Sequence, residues 1–215
     1  MITVKQMQML ERFAQKQGIF VEDLMENAGR EIAKTLRENF GLADKHIVIF
    51  AGTGNNAGDG FVAARYLHEE VPVVVLLFGD QDKLNGEALD NYTRIKDIVT
   101  IVQISKQDDL SQFHFQQDHK LILIDALLGT GISGGIREPI TLGIGHFNSL
   151  KGDKISIDVP SGVNPDTGES LGQKCNADLI VALHDLKAGL EEYKERMVIV
   201  DIGIPKNLPT ISSSI

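Results

Sequence analysis

The chain has 215 residues, 42% of them apolar and 24% charged, with 21 glycines; this fits one globular unit and excludes disordered and fibrous classes. The formal net charge of −9 argues against a surface built for nucleic-acid phosphates or anionic membranes, since both attract clustered Lys and Arg. The single cysteine, Cys175, excludes a disulfide within the chain and a cysteine-based zinc cluster, and points to a reducing compartment.

No apolar stretch reaches the length of a membrane-spanning helix, and the opening MITVKQMQMLERF lacks the apolar block of a secretion signal. A cytoplasmic location is therefore expected. The first forty residues read as two helices. In the second, Leu24, Ala28, Ile32 and Leu36 recur every four positions, charges fill the opposite face, and Gly41 stands where the helix stops.

Beyond Gly41 come short, almost continuously apolar runs: HIVIFAG, VPVVVLLFG, TIVQI, KLILIDALLG, KISIDVP, ADLIVAL and MVIVDIG. Such runs suit strands buried on both faces. Helical spacing lies between several of them, as in Phe61, Ala64 and Leu67 or Ala88, Tyr92 and Ile95. The alternation predicts an α/β fold with a mostly parallel, doubly wound sheet. Only ALHDLKAGLEEYKER, with a poor helical pattern, separates the last two runs, so the final strand is expected to run antiparallel at an edge. With no internal repeat or low-complexity segment, one domain over residues 1–215 is expected, ending in a loosely ordered NLPTISSSI.

Ligands of open α/β sheets collect outside the carboxyl ends of the strands, so the residues after each run carry the first interest. Three of these stretches are unusual: GTGNNAGDG at 52–60, DALLGTGISGG at 125–135 and DVPSG at 158–162. Gly52, Gly54 and Ala57 have G-x-G-x-x-A spacing, and Gly129, Gly131 and Gly134 have G-x-G-x-x-G spacing. One such match commonly marks only a turn, whereas two, both after strands, favour a nucleotide. Glycines admit a close anion while the N–H groups of a helix start point at it. Neither loop has the G-K-[ST] ending of a phosphoryl-transfer loop.

Asn55, Asn56 and Asp59 suit turn and capping chemistry, but the two asparagines also offer carbonyl oxygens to a cation or amides to a ligand. Asp125 and Asp158 each close an apolar run, and Ser161 follows Asp158 by three residues. Strand ends converging on one crevice would give an oxygen-rich pocket for a hard cation or an acid–base group. The six histidines, His46, His68, His114, His119, His146 and His184, lack metal-ligand spacing, and there is no G-x-S-x-G elbow.

The combination of GNNAGDG, DALLGTG and IDVPSG, in this order, resembles the NAD(P)H-hydrate epimerase family, also called the YjeF N-terminal domain family; LMENAG and the closing VDIGIP extend the likeness over nearly the whole chain. The resemblance implies a Rossmann-like three-layer αβα sandwich. It also implies an isomerase of nicotinamide cofactor repair, which interconverts the R and S forms of hydrated NADH and NADPH. A separate ADP- or ATP-dependent dehydratase would be its functional partner, and a homodimer is compatible with the family.

Carried over by motif, Asn55, Asn56, Ala57, Gly58 and Asp59, together with Gly129, Thr130, Gly131, Ile132, Ser133, Gly134 and Gly135, would hold the hydrated cofactor. Asn56, Asp125 and Ser161 would bind a potassium ion. Asp158 would contact the substrate and act as its acid–base group. Family members commonly read GNNGGDG; Ala57 stands at the fourth position here, which ordinary helical dihedrals would tolerate. Lys83 lies where relatives often carry a lysine but reads more simply as a solvated loop residue; ALHDLKAGL resembles a family segment ending in lysine and glycine, but the residues before it differ, and Lys187 is given no role.

Two other functions remain open from sequence. A nicotinamide-dependent dehydrogenase would use the first glycine turn and Asp80 as a ribose-binding acid, leaving DVPSG unexplained. A non-catalytic binding or scaffold protein of the same family would have little use for Asn56, Asp125, Asp158 and Ser161 together.

Overall fold

A computed structural model describes residues 1–111, 120–132 and 134–205. Two helices come first, α1 (Val4–Lys16) and α2 (Val21–Phe40). Thr3 and Gln6 close the start of α1 as a capping box, and Leu24, Ala28, Ile32 and Leu36 form the buried stripe of α2 as their spacing predicts. Strands and helices then alternate: β1 (Lys45–Ala51), α3 (Asn55–Leu67), β2 (Val73–Phe78), α4 (Gly86–Ile95), β3 (Thr100–Ile104), α5 (Gln107–Ser111), β4 (Lys120–Ala126), α6 (Ile140–Ser149), β5 (Asp153–Ile157), β6 (Leu179–Leu183) and β7 (Met197–Val200).

The strands form one seven-stranded sheet in the order β3-β2-β1-β4-β5-β6-β7, and every pairing in it is parallel. The final strand thus lies at an edge but is not antiparallel. Its connection from β6 crosses over through 3-10 turns at Ala188–Arg196 that bury Leu190 and Tyr193, so a parallel return needs no regular helix. Short turns of this kind carry no 3.6-residue period, which is why the sequence pattern misleads there.

Alternate strand residues feed two cores. Ile47, Ile49, Val75, Leu77, Ile122 and Ile124 pack with Leu10, Ile32, Phe61 and Ile95 on one face. Val48, Phe50, Leu76, Phe78 and Leu123 pack with Leu110, Ile144 and Phe147 on the other. The result is the three-layer αβα sandwich that the family resemblance implies. Helix α2 sits unusually close to α3: a Cβ on Gly29 would lie 2.3 Å from the Val62 side chain, so the glycine of LMENAG is there for contact between helices. No described helix is long and apolar enough to cross a membrane.

Candidate active site

The sheet order reverses between β1 and β4, and parallel strands leave a crevice beyond their carboxyl ends at such a point. A cavity of about 660 Å³ lies there. Its walls come from α1 (Met7, Glu11), α2 (Leu24, Met25), the start of α3 (Asn55, Asn56, Asp59), the loop after β4 (Leu127 to Ile132) and the strand-end residues Asp158 and Leu183. Asn56 and Asp158 therefore face one cavity, apolar along one side and polar at the strand ends.

The first glycine loop runs directly into α3, whose N-cap is Gly54. The N–H groups of Ala57 and Gly58 turn back to the Gly54 carbonyl at 3.0 and 3.3 Å. Those of Asn55 and Asn56 stand in the unpaired first turn, where the helix dipole is positive. Ala57 is wholly buried in the core, and a Cβ on Gly58 would strike the Met25 thioether at 2.5 Å. These two predicted binding residues do not line the cavity; they seat α3 against its neighbours. Gly52 holds the two loops together, because a Cβ there would lie 2.1 Å from the Leu127 carbonyl oxygen.

The second glycine loop differs from expectation. No described helix starts at its glycines, since α6 begins only at Ile140, so of the two loops the first is the one that runs into a helix start suited to an anion. Gly129, Thr130, Gly131 and Ile132 line the cavity, whereas Gly134 and Gly135 are exposed outside its lining. Ser133 lies outside the described residues.

Asn56, Asp125 and Ser161 meet just beneath the cavity wall. The Ser161 hydroxyl donates to Asp125 Oδ1 at 2.6 Å, and Ser161 N–H and the Ser156 hydroxyl each donate to Asp125 Oδ2 at 2.8 Å. Leu128 N–H donates to Ser161 Oγ at 2.8 Å, and Asn56 Nδ2 donates to the Leu128 carbonyl at 2.9 Å. Asp125 and Ser161 are almost wholly buried and do not line the cavity; Asn56 and Leu128 do. Burial pushes the Asp125 carboxyl up, and the hydrogen bonds from Ser161, Ser156 and Leu127 pull it back. The Cys175 thiol beside it is raised well above its usual range, first by burial and then by the Asp125 charge. Oxygens of Asn56, Asp125, Ser161 and the Leu128 carbonyl, with one formal charge among them, fit the chemistry of a hard monovalent cation.

Asp158 directly follows β5 with φ of 64°, a left-handed conformation rare for a residue other than glycine. Such strain costs about 1–3 kcal/mol and collects at functional sites. It is held by its N–H bond to the Val181 carbonyl at 2.8 Å and by Leu183 N–H, which donates to its Oδ1 at 3.1 Å. Lys187, wholly buried, donates to the same Oδ1 and, at 2.7 Å, to the Leu183 carbonyl.

Asp59 is a buried residue of α3, and its carboxyl caps no helix among the described residues. Burial, with the carboxylates of Asp158 and Glu11 nearby, pushes its carboxyl well above the usual range, against the pull of Lys187. Glu11 is raised for the same reasons, burial first and Asp158 second. Three carboxyls, Glu11, Asp59 and Asp158, thus share the polar end of the cavity, with the Lys187 ammonium buried behind Asp158. Sequence reasoning missed Glu11, since a charge on an amphipathic helix reads as solvated, and gave Lys187 no role because the residues before it depart from the family segment that ALHDLKAGL resembles. Asp80 caps a 3-10 turn by accepting from Asp82 N–H and does not line the cavity, and Lys83 in that turn is exposed.

The sequence profile described as "YjeF-related protein N-terminus" matches residues 21–189. The chain is 36% identical over 210 residues to a Nitrosopumilus maritimus protein named NAD(P)H-hydrate epimerase, with 95% of each chain covered. A Cenarchaeum symbiosum protein of the same name is 36% identical over 209 residues, again with 95% of each covered. To the bifunctional NAD(P)H-hydrate repair enzyme Nnr of Methanopyrus kandleri it is 35% identical over 212 residues; the match covers 95% of this chain and 42% of that one, so the chain spans less than half of that relative. A crystal structure of the yeast protein ynu0 is similar in fold, with a TM-score of 0.80 at 22% identity over 93% of this chain and 87% of that one.

Proposed function

The chain belongs to the family of YjeF-related N-terminal domains, and on that premise we propose that it interconverts the R and S epimers of hydrated NADH and NADPH in its strand-end cavity. One observation carries this: the helix start of α3, the second glycine loop and the strained Asp158 border a single cavity. The first can receive a pyrophosphate. The last can meet the reacting ring.

Epimerisation at the hydroxylated carbon requires its C–O bond to break and re-form on the other face. The ring nitrogen supplies electrons as the hydroxyl leaves, giving a ring cation. A carboxylate beside that carbon stabilises the cation and exchanges protons with the departing hydroxyl or the returning water. The position of Asp158 at the cavity's polar end supports assigning it that work. The apolar wall of Met7, Leu24, Met25 and Ile132 suits a flat ring and limits the water reaching it.

A potassium ion, held by Asn56, Asp125 and Ser161, would supply a fixed positive charge and lock the Leu127–Leu128 segment beneath the substrate. What this chain's residues do is bring oxygens together at a buried point tied to the cavity wall through Leu128. The product of one epimer's conversion would pass to an ADP- or ATP-dependent dehydratase acting on the other epimer, in keeping with the bifunctional names of relatives in which this region is less than half the chain. A cytoplasmic setting fits such a partner.

The test is direct. Purified R or S hydrate is incubated with the protein, and the approach to the epimer mixture is followed by chromatography against the spontaneous rate. Acceleration with no change in redox state supports the proposal, and exchange at the spontaneous rate refutes it.

A further inference from the structure

Among the described residues, Lys187 is the one lysine with no surface exposure. Its loop is fixed from outside: Ile2 N–H donates to the Leu186 carbonyl at 2.8 Å, and Ala188 N–H donates to the Ile2 carbonyl at 3.0 Å. The ammonium reaches the Asp158 carboxylate and the Leu183 carbonyl, with the Asp185 carbonyl 3.4 Å away. It does not line the cavity. Burying an ammonium costs several kcal/mol unless an opposite charge answers it, and Asp158 is the carboxylate that does so.

The charged groups acting on this corner are Glu11 from α1, Asp59 from α3, Asp158 after β5 and Lys187 after β6. The Asp185 carboxylate is drawn away toward the chain's first amino group. Asp59 lines the same cavity as Asp158 with little exposure, and no described group donates a hydrogen bond to its carboxyl or pairs with it. Three carboxyls, Glu11, Asp59 and Asp158, therefore line one cavity, and among the described residues a single cation touches one of them, Asp158. Like charges so placed cannot all ionise cheaply, and environment decides which does.

We propose that Lys187 is a positioning residue that fixes Asp158 as the cavity's carboxylate and leaves Asp59, which has no cationic partner, as its protonated carboxyl. This rests on the epimerase function above. The neutral Asp59 gives its proton to the departing hydroxyl; the C–O bond breaks, water leaves with the electron pair, and the ring nitrogen's lone pair forms the C=N bond. Water then adds to the carbon, the C=N pair returns to nitrogen, and the surplus proton passes to Asp158. One proton has moved from Asp59 to Asp158, and cavity water returns it. The opposite epimerisation is the same sequence reversed.

The charge states are read without activity, by following the carboxyl carbons of Asp59 and Asp158 by NMR in the labelled protein, assigned with Asp59→Asn and Asp158→Asn. At neutral pH the expected signals are a carboxylate for Asp158 and a carboxylic acid for Asp59. In Lys187→Met the Asp158 carbon signal should shift as its cationic partner is lost, and epimer exchange should fall by roughly 100-fold or more, while NADP⁺ binding persists. An ionised Asp59 in the unmodified protein, or carboxyl signals unmoved in Lys187→Met, overturns the proposal. If Lys187→Met does not fold, the unmodified protein's two signals decide alone. Absence of epimer exchange with both signals as expected would remove the reaction and leave the ion-pair arrangement standing, so the two failures are distinct.

Discussion

The Ser161 hydroxyl donates to Asp125 at 2.6 Å, and this bond ties the loop after β5 to the end of β4 at the point where the sheet order reverses. The same hydroxyl receives Leu128 N–H, so the cavity wall rests on a buried carboxylate. Asp125→Ala removes the one formal charge from the oxygen cluster and leaves the Ser156 hydroxyl, Ser161 N–H and Leu127 N–H without their acceptor, while the Ser161 hydroxyl keeps the Leu128 carbonyl at 3.2 Å. We expect a stability loss of about 1–3 kcal/mol for each donor left buried and unpaired, with weaker nucleotide binding that high potassium partly restores. Calorimetric titration in potassium and in choline chloride checks this; equal affinity in both salts for the unmodified protein would remove the cation.

Gly52→Ala should act through contact alone. The added methyl meets the Leu127 carbonyl oxygen at 2.1 Å, and a main-chain atom cannot rotate away. We expect a loss of about 1–3 kcal/mol from overpacking, together with reduced nucleotide affinity as the two loops part. Denaturant unfolding and binding measured on one preparation test it, and unchanged values in both would mean that the loops are not braced against each other there.

Asp59 makes stability depend on pH in a definite direction. An acid whose folded-state pKa lies above its unfolded value holds its proton more tightly when folded, so stability falls as pH rises from the ordinary carboxylate range through the raised value. Asp59→Asn removes this dependence. The variant should be more stable than its parent at neutral pH, with the gain growing by up to about 1.4 kcal/mol per pH unit within the window and vanishing below about pH 4. A difference between the two proteins that does not vary with pH would contradict the buried, crowded setting of Asp59.

The seven apolar runs all became strands; the five inner ones are buried by neighbours on both sides whatever their direction, so their burial is written in composition, while the edge strands β3 and β7 are only partly covered. Direction is not: the return from β6 to β7 is made by 3-10 turns, and only the register of Ile180 to Leu183 beside Met197 to Val200 reveals it as parallel. The site divides likewise. Asn56 and Asp158 announce themselves at strand ends, and both reach the cavity. Lys187 did not, since its burial depends on Asp158, a partner 29 residues earlier in the chain. Ala57 misled in the other direction: it sits within a binding motif, yet helix packing turns it to the core.

In the proposed mechanism Asp158 exchanges protons with the hydrated nicotinamide ring. Asp158→Asn keeps the side chain's size and its acceptor toward Leu183 N–H while removing its charge and its basicity. Epimer exchange, followed by chromatography and corrected for spontaneous interconversion, should fall by roughly two to four orders of magnitude, with NADP⁺ binding retained because the α3 helix start is untouched. Near-normal exchange in this variant would contradict the account and reduce Asp158 to a strained residue that shapes its loop.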